Sequence, residues 1–241
     1  MSIQGYATEQ FFPTEPWLQQ YHEAINADEE YAAESEGWGV DFDGAFIFHI
    51  TDVPLAERTV ADLPGEIVDL IDETFEGLPD ERIDDIVTAA PDDVKSAIEA
   101  RDGDVREAAH DELMAVSLDD IADWMWPALE VEVPPLLVDL IEQVDQYIVD
   151  GDTVYAYIDL YDTECRGVDV ITSLDERGYG FVITGEYDDW KDLVGGEAGI
   201  IDQLMGGVMD LDGDMQKILQ YSDAAVRLTD IAADTESRFL F

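Results

Sequence analysis

The segment MGGVMDLDGDMQKIL, residues 205–219, carries three methionines, three glycines and three alternating aspartates. Three interpretations fit this composition: a metal-binding loop, a phosphate-binding loop, or the wall of an apolar pocket. Each interpretation predicts a different protein. The spacing of these residues and the sequence around them therefore have to decide between the three.

The first two interpretations fail on spacing. An EF-hand calcium loop needs a glycine at its sixth position and a glutamate at its twelfth. Counted from Asp210, the glycine stands at position four and Tyr221 at position twelve. The glycines at 195–199 and 206–207 lack both a following Lys-Ser or Lys-Thr pair and a G-x-G-x-x-G pattern. The alternating aspartates are thus predicted to be the solvent face of a short strand, and no metal ion or cofactor is expected.

The third interpretation rests on methionines that stand beside Leu204, Leu211 and Ile218. Methionine is flexible and polarisable, so methionine-rich walls accept apolar ligands of variable shape. An ordinary hydrophobic core has the same pattern, and the residues alone favour the core.

The surrounding sequence predicts an α+β domain, because strands are followed by helices. An amphipathic helix follows Thr14, and Phe46, Phe48 and Ile50 alternate with Ile47, His49 and Thr51 along a first strand. Further strands are predicted near 153–161, 167–173 and 179–185. The short connection LDERG (174–178) favours antiparallel pairing of the last two. A single closing amphipathic helix is expected from Met215 to beyond Val226.

Residues 54–145 have a different texture, because short acidic helices replace the strands and several of them start at an aspartate. We predict that this segment is an all-helical insertion between the first and second strands. The expected organisation is 1–53 for the first helix and strand, 54–145 for the insertion, and 146–241 for the remaining strands and C-terminal helices.

The charge of the chain is extreme, with 59 acidic residues against 11 basic ones and a net charge of −48. The acids are scattered rather than gathered into a tail, so we interpret them as a halophilic adaptation in which molar salt screens the repulsion. Nucleic-acid binding is not expected, because phosphate contacts need clustered Lys and Arg. Binding to an anionic membrane surface is disfavoured for the same reason.

The chain also lacks targeting features. Residues 1–12 show no basic and apolar signal segment, and no run of about 18 apolar residues could span a bilayer. The single cysteine, Cys165, cannot form an internal disulfide. We therefore expect a cytoplasmic protein without stable membrane insertion.

Catalytic motifs are equally sparse, so no catalytic residue is assigned and an enzyme is not expected. The three histidines follow no H-E-x-x-H pattern, and no G-x-S-x-G nucleophile elbow occurs. One enzyme alternative stays open, an acid–base hydrolase in which His49 works with a nearby carboxylate.

A longer run that includes the opening segment resembles the sterol carrier protein 2 family. The resemblance rests on an aromatic-acid-x-Trp helix, a Gly-Glu turn, and a methionine- and glycine-containing strand that enters a helix. The matching positions are Tyr187, Asp189, Trp190, Gly196, Glu197, Met205, Gly207, Gly213, Asp214 and Met215. The resemblance extends over residues 10–53 and 150–235. Met209 and Asp210 depart from it where the family usually carries lysine, and residues 54–145 have no counterpart in the family's minimal domain.

This resemblance implies a five-stranded, mostly antiparallel sheet covered by helices, with a hydrophobic tunnel between the sheet and the C-terminal helices. It also implies non-enzymatic binding or carriage of sterols, fatty acyl chains or other apolar lipids. Because the composition indicates a halophilic cell, in which a sterol is a poor candidate, we expect an acyl or isoprenoid chain. The residues expected to contact the lipid are Phe48, Ile158, Trp190, Leu193, Met205, Met209, Met215, Ile218, Leu219 and Val226.

One alternative to a lipid carrier is a ligand-free interaction or dimerisation module that serves a partner enzyme. Residues 54–145 would then be the contact for a homodimer or a protein partner. A continuous apolar cavity would favour the carrier over the module.

Overall fold

The chain forms two units, and the first of them is built from two separate segments. In the computed structural model, which describes residues 8–241, the first unit comprises the residues up to Val53 together with Tyr147–Phe239. We call it the sheet unit. The second unit, the helical unit, comprises Pro54–Gln146 together with Leu240 and Phe241.

The strands are β1 (Phe46–Thr51), β2 (Val154–Tyr161), β3 (Glu164–Ile171), β4 (Phe181–Glu186) and β5 (Asp210–Asp212). The helices are α1 (Glu15–Ala27), α2 (Glu29–Glu34), α3 (Gly65–Gly77), α4 (Asp80–Ala89), α5 (Asp92–Glu99), α6 (Val105–Met114), α7 (Ile121–Trp124), α8 (Pro127–Glu130), α9 (Pro135–Tyr147), α10 (Tyr187–Val194), α11 (Ile200–Gly206), α12 (Met215–Gln220) and α13 (Ser222–Asp234). None of these helices, in the part of the chain from Thr8 onward, is long and apolar enough to cross a membrane.

The five strands form one sheet in the order β3-β2-β1-β4-β5. The pairs β3–β2, β2–β1 and β4–β5 are antiparallel, whereas β1 and β4 are parallel. The predicted α+β class and the mostly antiparallel five-stranded sheet are therefore confirmed, with one parallel pair at the centre.

The pairing predicted across LDERG is wrong, because β3 and β4 are not neighbours. The strand β3 lies at one edge of the sheet, whereas β4 pairs with β1. The segment between them contains a short 3₁₀ turn at Leu174–Glu176 instead of a hairpin turn. Chain proximity favours a hairpin, but β4 pairs along its whole length with β1, which is more apolar than β3, from Phe46↔Phe181 to Thr51↔Glu186.

Alternation along the strands separates two faces of the sheet. Phe46 and Phe48 of β1 are paired with Ile158 and Ala156 of β2, so these side chains share one face. The register places residues of all five strands on this face, which the helices of the sheet unit cover. The opposite face carries a smaller cluster centred on Ile47, Ile171 and Val182. On β5, Asp210 and Asp212 are exposed, which confirms the solvent face predicted for the aspartates.

The closing helix is not continuous, and this corrects the sequence prediction. It breaks at Tyr221, which has φ −111° and ψ 35° and separates α12 from α13. The α12 helix starts at Asp214, whose side chain accepts a hydrogen bond from the backbone N–H of Gln216. The break changes which side chains of the two helices share a face.

In the helical unit, short helices bury one or two apolar residues per turn against each other. Proline precedes α3, α4 and α5, and acidic residues occupy their first turns, where they complement the positive helix end. Asp104 caps α6 by accepting a hydrogen bond from the N–H of Glu107. The Arg106 side chain bonds the carbonyl oxygens of Phe75 and Leu78, which ties α6 to the end of α3.

Candidate functional site

A cavity lies in the sheet unit between the helix-covered face of the sheet and the helices packed on it. Its volume is about 60 Å³. The floor comes from the central strands, through Phe46, Phe48 and Ile183. One wall comes from the start of the chain, through Phe12, Trp17 and Tyr21.

The remaining walls come from helices that follow the sheet in the chain. The α10 and α11 helices contribute Trp190, Leu193, Val194, Ile200 and Leu204. The α12 and α13 helices contribute Ile218, Ala225, Leu228, Thr229 and Ala232. Aromatic rings fix the geometry of the walls: the ring centroids of Phe48 and Trp190 are 4.8 Å apart, and those of Phe12 and Trp17 are 4.9 Å apart.

The lining is apolar, and it contains no charged side chain and no histidine among the described residues. Most of its polar atoms are already bonded within the protein. The Tyr21 hydroxyl donates to the carbonyl of Leu228 at 2.9 Å, and the Trp17 indole N–H donates to the Ser237 hydroxyl at 2.9 Å. The Thr229 hydroxyl donates to the carbonyl of Ala225 at 3.2 Å. A ligand in the cavity therefore meets almost only hydrocarbon.

Trp190 is the exception, since its buried indole Nε1 has no hydrogen-bond partner among residues 8–241. This atom lies against the sheet rather than in open space: a Cβ added at Gly185 would lie only 3.2 Å from it. The same Cβ would lie 3.0 Å from the side chain of Met209, so the absence of a side chain at Gly185 lets Trp190 and Met209 pack together against β4.

Tyr21 stays neutral in this environment. Burial raises the pKa of its hydroxyl well above the ordinary value, and the neighbouring Tyr31 and Cys165 act in the same direction. The hydroxyl therefore remains a donor to Leu228 across the accessible pH range. This bond joins α1 to α13 beside the cavity.

Four of the residues expected to contact a lipid line the cavity: Phe48, Trp190, Leu193 and Ile218. The other six do not line it. Ile158 and Met209 are buried beside it, each 1% exposed, and Met215 is half-buried. Met205, Leu219 and Val226 point to solvent, with exposed fractions of 66%, 45% and 44%. Val226 lies beyond the break at Tyr221, so the single face drawn through both helices does not extend to it. Leu219 precedes the break and faces solvent beside the buried Ile218 of the same helix.

The cavity is also lined by residues that the sequence does not assign to a site. The largest are Phe12, Trp17 and Tyr21, and the amphipathic pattern of α1 marks Trp17 and Tyr21 as inward-facing. That pattern identifies buried residues but cannot separate those that touch a cavity from those in the solid core. Small side chains such as those of Ala225 and Ala232 leave part of the volume between the helices and the sheet unfilled. No feature of the sequence distinguishes these alanines from others.

His49 lies on the opposite face of the sheet from the cavity. Its Nδ1 is 3.1 Å from the hydroxyl of Thr184, and its ring lies 4.8 Å from that of Tyr155. Burial lowers the pKa of the imidazole. The hydrogen bond found for this ring is thus with a hydroxyl and not with the carboxylate that the hydrolase alternative requires. Within the described residues, no three His, Cys, Asp or Glu side chains are placed to hold a metal ion.

The chain is similar in structure to a sterol carrier protein 2. A crystal structure of that protein matches with 15% identity and a TM-score of 0.45, covering 92% of this chain and 97% of the other. A second match is the solution structure of a conserved hypothetical protein from Thermus thermophilus, which is a candidate sterol carrier protein. It matches with 16% identity and a TM-score of 0.48. That match covers 97% of this chain and 95% of the other.

These matches carry the same family name as the resemblance found in the sequence. Neither a protein-family model nor a curated protein sequence matches the chain.

Proposed function

We propose that the sheet unit binds the hydrocarbon end of a lipid, an acyl or isoprenoid chain, in the cavity between the sheet and its helices, without chemical conversion. The observation that supports this proposal is the character of the lining. Apart from the indole Nε1 of Trp190, the polar side-chain atoms of the described lining residues bond within the protein, and none of these residues is charged. A charged headgroup would lose its hydration here without compensation, so it stays outside.

The size of the cavity limits how much of a lipid it holds. A water-sized group needs about 10–15 Å³ on this measure, so 60 Å³ accommodates roughly four to six methylene groups. At about 0.8 kcal/mol per buried methylene, five of them contribute about 4 kcal/mol before ordering costs, which corresponds to a dissociation constant of about 1 mM. Tighter binding requires contacts beyond this cavity.

Filling the cavity tests the proposal. Ala232 is 3% exposed and lines the cavity from α13, so the side chain of Ala232→Leu would occupy the space. We expect this variant to keep its stability and to bind cis-parinaric acid about tenfold more weakly in molar KCl, because two or more ligand methylenes are displaced. Asp223→Leu places the same side chain at an exposed position of α13 and should bind as the parent does.

Native mass spectrometry of the parent, purified in molar KCl, provides an independent measurement. A co-purifying apolar molecule should be present in the parent and reduced in Ala232→Leu. If the parent carries no such molecule and binds neither cis-parinaric acid nor other apolar probes, the lipid function is wrong. The ligand-free interaction module would then be the better description.

A further inference from the structure

A second, smaller cavity adjoins the first in the sheet unit, under α12 and α13. Its volume is about 20 Å³, and it extends toward Tyr31, Trp38 and Leu160. Four residues line both cavities: Phe46, Ile218, Ala225 and Leu228. These four residues therefore form a common wall between the two spaces.

The four residues of this wall differ in their freedom to move. The ring of Phe46 packs against those of Trp38, at 5.5 Å, and Phe181, at 4.9 Å, and these two rings also contact each other, so Phe46 is held in a cluster of three rings. Ala225 has no rotamer to change. Ile218 and Leu228 are aliphatic side chains that can move to other rotamers within an apolar environment.

The attachment of Ile218 and Leu228 supports this distinction. Ile218 is the buried residue of the six-residue helix α12, which connects to α13 through the break at Tyr221. The backbone carbonyl of Leu228 accepts a hydrogen bond from the hydroxyl of Tyr21, and this bond does not involve the Leu228 side chain. Opening the wall therefore requires rotation of these two side chains only, with α1, α13 and the sheet in place.

We infer that the two cavities are parts of one binding path, and that Ile218 and Leu228 divide it and set the length of hydrocarbon chain that the protein accepts. This inference rests on the proposed lipid function. With the divider in place, a chain ends in the first cavity. With the divider rotated or removed, the chain continues between α13 and β1 toward Trp38 and Leu160.

Chain-length preference measures the role of the divider. The affinities of n-hexanol, which ends in the first cavity, and n-octanol are determined by displacement of cis-parinaric acid in molar KCl, for the parent and for Ile218→Ala and Leu228→Ala. Each substitution should raise the ratio of n-octanol to n-hexanol affinity by about tenfold, since two further methylene groups become buried for n-octanol alone. Ile218→Phe, which thickens the wall, should lower the same ratio.

Val208→Ala serves as the matched control, because Val208 is an aliphatic residue that is 52% exposed and lines neither cavity. Its ratio should equal that of the parent. Circular dichroism in molar KCl verifies that each variant is folded, and Ile218→Val, which removes one methyl group, provides a mild substitution with a shift in the same direction.

The possible results separate the inference from the function on which it rests. If the folded variants bind both alcohols with the parental ratio, Ile218 and Leu228 are ordinary core residues, and the divider is wrong while lipid binding stands. If neither the parent nor any variant binds either alcohol or cis-parinaric acid, the proposed function itself is wrong. A shifted ratio in Ile218→Ala or Leu228→Ala, with Val208→Ala unchanged, supports the divider.

Discussion

Arg227 and Asp28 form the best-defined ion pair of the sheet unit, with two nitrogen–oxygen distances of 3.0 and 2.6 Å. Asp28 also caps α2 by accepting a hydrogen bond from the N–H of Tyr31 at 2.7 Å. The Arg227 guanidinium, and then the Tyr31 N–H, lower the pKa of the Asp28 carboxyl from 3.8 to about 2. The pair joins the α1–α2 junction to α13, the helix that lines both cavities.

This depressed pKa predicts a pH dependence of stability. The folded state binds the Asp28 proton less tightly than the unfolded state, so the pair stabilises the fold fully above about pH 4 and loses this effect as the pH falls toward 2. Asp28→Asn keeps an acceptor at the cap but loses the charge. Urea unfolding in molar KCl should show that this substitution lowers the free energy of unfolding by about 1–2 kcal/mol near neutral pH. This difference should disappear as the pH approaches 2.

Asp188→Asn is the matched control for this measurement. Asp188 pairs with Lys191 at 2.7 Å, but its side chain is 84% exposed. Solvent-exposed ion pairs contribute little to stability, so the free energy of unfolding should fall by no more than about 0.5 kcal/mol in this variant. Equal losses in the two variants, or a loss in Asp28→Asn that does not change with pH, would contradict the role assigned to the Arg227 pair.

At the scale of elements, the sequence predicts on which face of a strand a residue lies better than it predicts which strands pair with each other. Phe46 and Phe48 fall on the predicted side of β1 because alternation is a local property of an extended chain. The pairing of β4 with β1 is not local, since it depends on which distant strand offers matching apolar area. The sequence does not predict the break at Tyr221, because this residue is neither Gly nor Pro. The Tyr221 ring packs against that of Trp38, with ring centroids 5.3 Å apart, and this contact is between residues distant in the chain.

The same limit applies to the candidate site. Aromatic and aliphatic residues at helical spacing predict burial, and Trp190, Leu193 and Ile218 are buried. A cavity, however, is a gap in the packing of several elements, so it depends on alanines such as Ala225 and Ala232 as much as on large side chains. The sequence predicts that the methionines contact a lipid, but Met209 packs behind Trp190 and Met205 faces solvent.

For the whole molecule, the net charge of −48 predicts a stability that depends on salt. Molar KCl reduces the Debye length to about 3 Å and screens the repulsion between scattered carboxylates. The free energy of unfolding should therefore rise steeply between dilute buffer and molar KCl. Sucrose, which stabilises proteins by exclusion from their surface without screening charge, is the control. A melting temperature that is indifferent to KCl, or that sucrose raises equally, would contradict the halophilic interpretation.

The division into two units leads to the last prediction, which concerns residues 54–145. Their interpretation as an insertion stays a prediction, but the ends of the sheet unit are suited to a test. The N–H of Val53 donates to the carbonyl of Asp152 at 2.9 Å, and Ile50 is paired with Val154. The chain thus leaves and re-enters the sheet unit at neighbouring points, which a short linker can join.

We expect a chain in which a short Gly/Ser linker replaces residues 54–145 to fold in molar KCl and to keep the sheet and cavity. Loop length has a small entropic effect, about 0.6 kcal/mol per doubling, so shortening the connection should not by itself destabilise the fold. Circular dichroism and cis-parinaric acid binding measure the two properties separately. A shortened chain that stays unfolded in molar KCl would mean that the helical unit is required for the sheet unit to fold. A folded chain that no longer binds the probe would instead place part of the lipid site in the residues removed.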